Sequence, residues 1–159
     1  VSTVPPEALP QIPSALQVEH RVIHEALLRA TKAPGDIGTA ARELAGALHD
    51  HFVREEEIAL PPLGLLAALA RGEFTPEMRA VLPMTEALRA ELPRMLDEHQ
   101  AIHAATRRLG EVARKAGNAE VQQLAEALAL HAQSEEEVFY PAALLVGEVV
   151  ESRSQAHGS

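Results

Sequence analysis

His51-Phe52-Val53-Arg54-Glu55-Glu56-Glu57 is followed by Pro61, and His131-Ala132-Gln133-Ser134-Glu135-Glu136-Glu137 by Pro141. The second stretch repeats the first at an offset of 80 residues, counted from His51 to His131. A companion motif does the same. Glu19-His20-Arg21-Val22-Ile23-His24 recurs as Glu98-His99-Gln100-Ala101-Ile102-His103, an offset of 79 from Glu19 to Glu98. Six of the eight histidines fall inside these repeats, so duplication rather than chance sets their positions. On an α-helix, residues four apart differ by only about 40° around the axis and stand one turn apart on one face. The pairs His20/His24, His51/Glu55, His99/His103 and His131/Glu135 all have that spacing. Each can aim its side chains at a shared ion, and a tandem repeat of such helix pairs builds a two-metal site.

Working outward, apolar residues keep the helical period on both sides of the motifs. Leu44 and Leu48 lead into His51 and Glu55 as Leu124 and Leu128 lead into His131 and Glu135. Pro5, Pro6, Pro10 and Pro13 mark residues 1–13 as an irregular N-terminal arm. Ser14 caps a first helix to about Lys32, and Pro34-Gly35 breaks it. Asp36 caps a second helix to about Leu60, which Pro61-Pro62 should kink or end, with Leu63 to Ala70 extending it. Arg71-Gly72 is a break, and Thr75-Pro76-Glu77 opens a short extra helix. Pro83 and Pro93 are expected to interrupt the approach to a third main helix that ends near Lys115. Gly117-Asn118 closes it and caps a fourth, Ala119 to about Tyr140. Pro141 then kinks the chain before a last helical stretch to about Val150, and 151–159 reads as a flexible tail. The expected fold is all-α. It is an up-down-up-down four-helix bundle of two similar hairpins over residues 14–150, with a helical insert between helices 2 and 3 from about Pro62 to Pro93.

Composition agrees and excludes rivals. Hydrophobic residues make up 47% but aromatics only 3%, so the apolar mass is Ala, Leu and Val, which packs as close helices. A net charge of −9 argues against nucleic acid or an anionic membrane surface as a partner. The longest uncharged run, Ile58 to Ala70, is too short to span a bilayer and contains two prolines. With no cysteine, thiolate catalysis and cysteine-held iron–sulfur clusters are out, and a cytoplasmic location fits.

Imidazole and carboxylate together suit iron, manganese or zinc better than calcium or magnesium. The order of motifs resembles the hemerythrin family and its bacterial cation-binding HHE domains: His on helix 1, HFxxEE before a proline on helix 2, HxxxH on helix 3 and HxxxE on helix 4. The resemblance runs over residues 14 to 145. It implies two non-haem iron ions joined by a bridging oxo or hydroxo group, while the ligand chemistry alone allows manganese as well. The ligands it carries over are His20, His51, Glu55, His99, His103, His131 and Glu135, and it implies dioxygen or a related small oxidant as the partner. Glu135 stands four residues after His131, as in the HHE variant, where many members have Asp at five.

Two features depart from the pattern. His24 would supply a sixth histidine, and a sixth would close the coordination position that oxygen carriage needs. The expectation therefore includes His24 in the metal set and divides accordingly. With an open position the chain binds dioxygen. At a saturated six-histidine site it reduces peroxide or nitric oxide, or senses or stores iron. The second departure is the insert, which could cover the site, line a tunnel or support a homo-oligomer. Among the remaining groups, Tyr140 replaces Leu60 of the first repeat and reads first as packing, second as a hydroxyl near the metals. Glu56 and Glu136 could orient a ligand histidine. Glu19 and Glu98 could do the same but read first as surface residues, and His49, whose counterpart is Ala129, reads as surface too.

Overall fold

A computed structural model describes residues 10–158, and every regular element among them is helical. Of the expected N-terminal arm, residues 1–9 lie outside the described residues, and Pro10 to Pro13 precede the first helix without regular structure. Helix α1 spans Ser14–Thr31 and α2 Gly35–Arg54. A π-helical turn, Glu55–Ala59, follows directly, then a 3-10 turn at Pro61–Leu65, α3 at Leu66–Ala70 and a second 3-10 turn at Pro76–Val81. Helix α4 runs from Leu82 to Lys115 and α5 from Ala119 to Ser134. A second π-helical turn, Glu135–Phe139, leads into α6, Tyr140–His157.

The turns form where the local chemistry demands them. Gly35, Gly72 and Gly117 all adopt positive φ, where a side chain would be strained. At Gly117 the α4 terminus closes as a Schellman motif, with the Asn118 N–H bonded to the Ala113 carbonyl at 2.9 Å. Asn118 then turns its side chain to the next helix and accepts from the Val121 N–H at 3.1 Å, the cap that starts α5.

The chain folds into two compact units. One contains Ser14–Val53 and Pro93–Glu136, and its core is a set of aliphatic stripes. Ile23 and Leu27 on α1, Leu44 and Leu48 on α2, Ile102 and Leu109 on α4, and Leu124 and Leu128 on α5 are all buried. Each stripe runs on at helical spacing into one buried histidine: His20, His51, His99 or His131. The histidines are thus the polar ends of hydrophobic faces, and burying those faces is what buries them. The other unit contains Arg54–Leu92 and the chain from Glu137 onward, with Met78, Val81, Val146 and Val150 at its centre. There α4 and α6 meet so closely at Gly147 that a Cβ would stand 2.4 Å from Thr85 Oγ1.

Two local expectations need correction. Pro93 does not interrupt its helix, since α4 passes through it unbroken. An interior proline costs about 3 kcal/mol through one lost hydrogen bond and a clash with the preceding turn. Leu88 and Met95 on either side are fully buried, and that packing outweighs the loss. The last helix does not end near Val150 with a flexible tail behind it but continues to His157. Its added turns are tied down: Arg153 donates to the Gly72 carbonyl, and the His157 ring packs 5.0 Å from that of Phe74. The two π-helical turns were not foreseen. Each begins at a motif carboxylate and ends two residues before a proline that can neither donate to nor pack against the carbonyl four residues back. The turn widens instead, and the Leu60 N–H reaches the Glu55 carbonyl at 2.9 Å. No helix among the described residues is long and apolar enough to cross a membrane.

Candidate metal centre

Within the first unit, four buried histidines meet as two pairs. His20 Nε2 lies 2.9 Å from His131 Nε2, and His51 Nε2 lies 2.8 Å from His99 Nε2. Two nitrogens bound side by side to one ion at about 2.1 Å each stand about 3.0 Å apart. Each pair already has that separation. Glu135 reaches both: its Oε1 is 2.5 Å from His131 Nε2 and 3.7 Å from His20 Nε2, and its Oε2 is 3.2 Å from His99 Nε2. One oxygen of this single carboxylate thus faces each pair.

The outward nitrogens are engaged as well. His51 Nδ1 donates to Glu98 at 2.9 Å, His99 Nδ1 to Glu136 at 2.7 Å, and His131 Nδ1 to Glu19 at 2.9 Å. An acceptor on Nδ1 keeps the proton there and leaves Nε2 turned inward as a donor to a metal. Phe52 stacks against His20 with ring centroids 4.9 Å apart and limits its rotation.

Without a metal, the site's charge balance rests on His131 and Glu135. Burial alone would lower the His131 pKa, but hydrogen bonds and charge from Glu135 and then Glu19 overcome it and raise it to about 9. Burial likewise opposes ionisation of Glu135, yet hydrogen bonds from His131, His20 and His99 hold it well below the usual carboxylate range. The imidazolium of His131 therefore stands where a metal would supply positive charge.

The residues named from sequence divide into three groups. His20, His131 and Glu135 offer ligand atoms within 4.8 Å of one another, as do His51, His99 and Glu135. His103 is half-buried, and its Nε2 lies 3.3 Å from the Glu136 oxygen that also accepts from His99, a third and shallower group. His24 is exposed and belongs to none of these groups. Its position four residues after His20 matches the helical period, but α1 turns the buried face toward Ile23 and Leu27 instead. Glu55, in the other unit, is fully buried on its π-helical turn and accepts a hydrogen bond from the Tyr140 hydroxyl.

Sequence reasoning undervalued Glu19 and Glu98, for which it put a surface role ahead of orienting a ligand histidine. They are partly exposed, with 44% and 28% of their side chains accessible, and still hold His131 and His51. The signal was the Glu-His dipeptide itself, present in both repeats.

The donor set of imidazoles and carboxylates, largely buried and held from outside, fits a transition metal. A family model described as hemerythrin HHE cation binding domain matches residues 11–143. No curated protein and no solved structure matches the chain significantly.

Proposed function

Because the chain belongs to the hemerythrin HHE cation-binding family, we propose that its histidine–glutamate cluster holds two non-haem iron ions and binds dioxygen or a related small oxidant. The observation that carries this reading is Glu135 with one oxygen toward each of two histidine pairs. His20 and His131 would hold one ion, and His51 and His99 the other. Glu55, four residues after His51 on the other copy of the motif, is the proposed second carboxylate. In this reading His103 acts on His99 through Glu136, and His24 takes no part. The fold that goes with it is an up-down-up-down bundle over residues 14–150, with Pro62 to Pro93 as its insert.

A bound iron pair supplies the electrons that an oxidant takes up. The chain's own work is positional. Glu19, Glu98 and Glu136 keep protons on the outer nitrogens, so that the inner ones stay free to donate. The aliphatic stripes under the histidines keep water from the buried face. Two imidazoles and shared carboxylate oxygens would be fewer donors than a six-coordinate ion accepts, and the difference would leave room for a small exogenous ligand.

The test begins with metal analysis, which should find two irons per chain. The visible spectrum of the reduced, anaerobic protein is then followed on adding dioxygen and on degassing. A charge-transfer band that appears and then reverses supports oxygen binding. Irreversible oxidation without such a band sinks that reading and moves the proposal to peroxide or nitric oxide reduction, or to iron handling.

A further inference from the structure

The duplication is not symmetric at one buried position. Tyr140 and Leu60 occupy matching places, each just before the proline that follows a π-helical turn, and each is about 1% exposed. The Leu60 side chain has nothing to donate. Tyr140 carries a hydroxyl into the interior, where an unpartnered phenol would be costly. The hydroxyl is spent on Glu55 Oε1, across 85 residues of sequence. The second repeat thus supplies a donor to the carboxylate of the first, and leucine in the first repeat cannot return the same bond.

We propose that Tyr140 is a positioning residue for Glu55 that makes the two motif carboxylates unequal toward the metals. The proposal rests on the di-metal reading above. Glu135 has an oxygen toward each histidine pair, whereas Glu55 has one oxygen tied to a phenol. A hydrogen bond to a carboxylate oxygen withdraws charge from it and fixes the plane of the group, so the bonded oxygen is the poorer donor. Glu55 therefore engages mainly through its other oxygen, and the two ions sit in different fields although the histidines are paired alike.

The chain offers its own reporter, since Tyr140 is its one tyrosine and there is no tryptophan. Zinc, which is spectroscopically silent, is titrated into metal-free protein while tyrosine fluorescence and bound zinc are followed together. The expected result is a fluorescence change that saturates with the zinc. In parallel, Mössbauer spectra of the iron-loaded wild type should resolve two iron environments, and Tyr140→Phe should draw them together while still binding two irons. Two bound zinc ions with unmoved fluorescence overturn the proposal and leave the di-metal reading standing. So does a Tyr140→Phe protein that is less stable but has an unchanged iron spectrum, because that is the signature of packing alone. Should Tyr140→Phe not fold, Glu55→Asp serves in its place. The shorter carboxylate should lose the zinc-linked fluorescence change, and its retention overturns the proposal. Failure to bind any metal overturns both readings, and the metal count tells that outcome from the others.

Discussion

A buried imidazole can present either nitrogen, and what holds one decides which one meets an ion. Here carboxylates at the rim do the holding, and they are separable from the ligands. Replacing Glu98 by Gln keeps the size and removes the charge that fixes His51. Iron or zinc affinity should fall about 10-fold to 100-fold, read by competition with a chelator. The exposed Glu57, changed the same way, is the control and should shift affinity by less than about twofold. Equal affinities in the two variants would remove Glu98 from the site. The same charges set the pH dependence of the metal-free chain. His131 rises from 6.5 to about 9 on folding, so its contribution is fully present below 6.5 and is lost as pH climbs through about 9. Glu135 is depressed from 4.5, so its contribution is present above 4.5 and is lost as pH falls toward its folded value. Metal-free protein should therefore melt highest between about pH 4.5 and 6.5 and lose stability toward pH 9. A midpoint that keeps rising from pH 6.5 to 9 would contradict this assignment.

Each helix that delivers a histidine–carboxylate pair changes its winding at the carboxylate. The π-helical turns at Glu55–Ala59 and Glu135–Phe139 arise because Pro61 and Pro141 deny a hydrogen bond to the carbonyls of Glu57 and Glu137. The prolines thus act on the site from six residues away. In Pro61→Ala an N–H returns, the turn can tighten to α-helical winding, and Glu55 is re-aimed. Metal affinity should drop at least about tenfold with no loss of helix by circular dichroism, since alanine favours helix over proline by about 3 kcal/mol. Unchanged affinity would mean that the winding is set by packing and not by proline.

At the scale of the whole molecule, the site sets buried charge against an aliphatic core. Metal that binds only the folded chain stabilises it by mass action, about 2.7 kcal/mol when free metal exceeds the dissociation constant 100-fold. Stripping the metal should lower the thermal midpoint, and the midpoint should climb again with free iron or zinc. In His51→Ala/His131→Ala that response should disappear. Melts indifferent to metal in the wild type would show that no ion is coupled to this fold.

All-helical structure, several helix ends and the motif histidines as a set were legible in the sequence, because each depends on spacing along one helix or on a local cap. Gly117-Asn118 could be read as a stop and a start, and the His-x-x-x-Glu pairs as one face, without knowledge of any neighbour. What packs against a face was not legible. His20 and His24 have the same periodic claim to the interior, yet α1 buries His20 and exposes His24. Glu19 and Glu98 look like surface carboxylates until α5 and α2 bring His131 and His51 to them. Pro93 reads as a break, but the packing of its own helix decides otherwise. Periodicity and capping are properties of a few consecutive residues. Which of two equivalent groups is buried, and what it then bonds, is decided by the energy of contacts between segments far apart in the chain, and only the tertiary structure carries that.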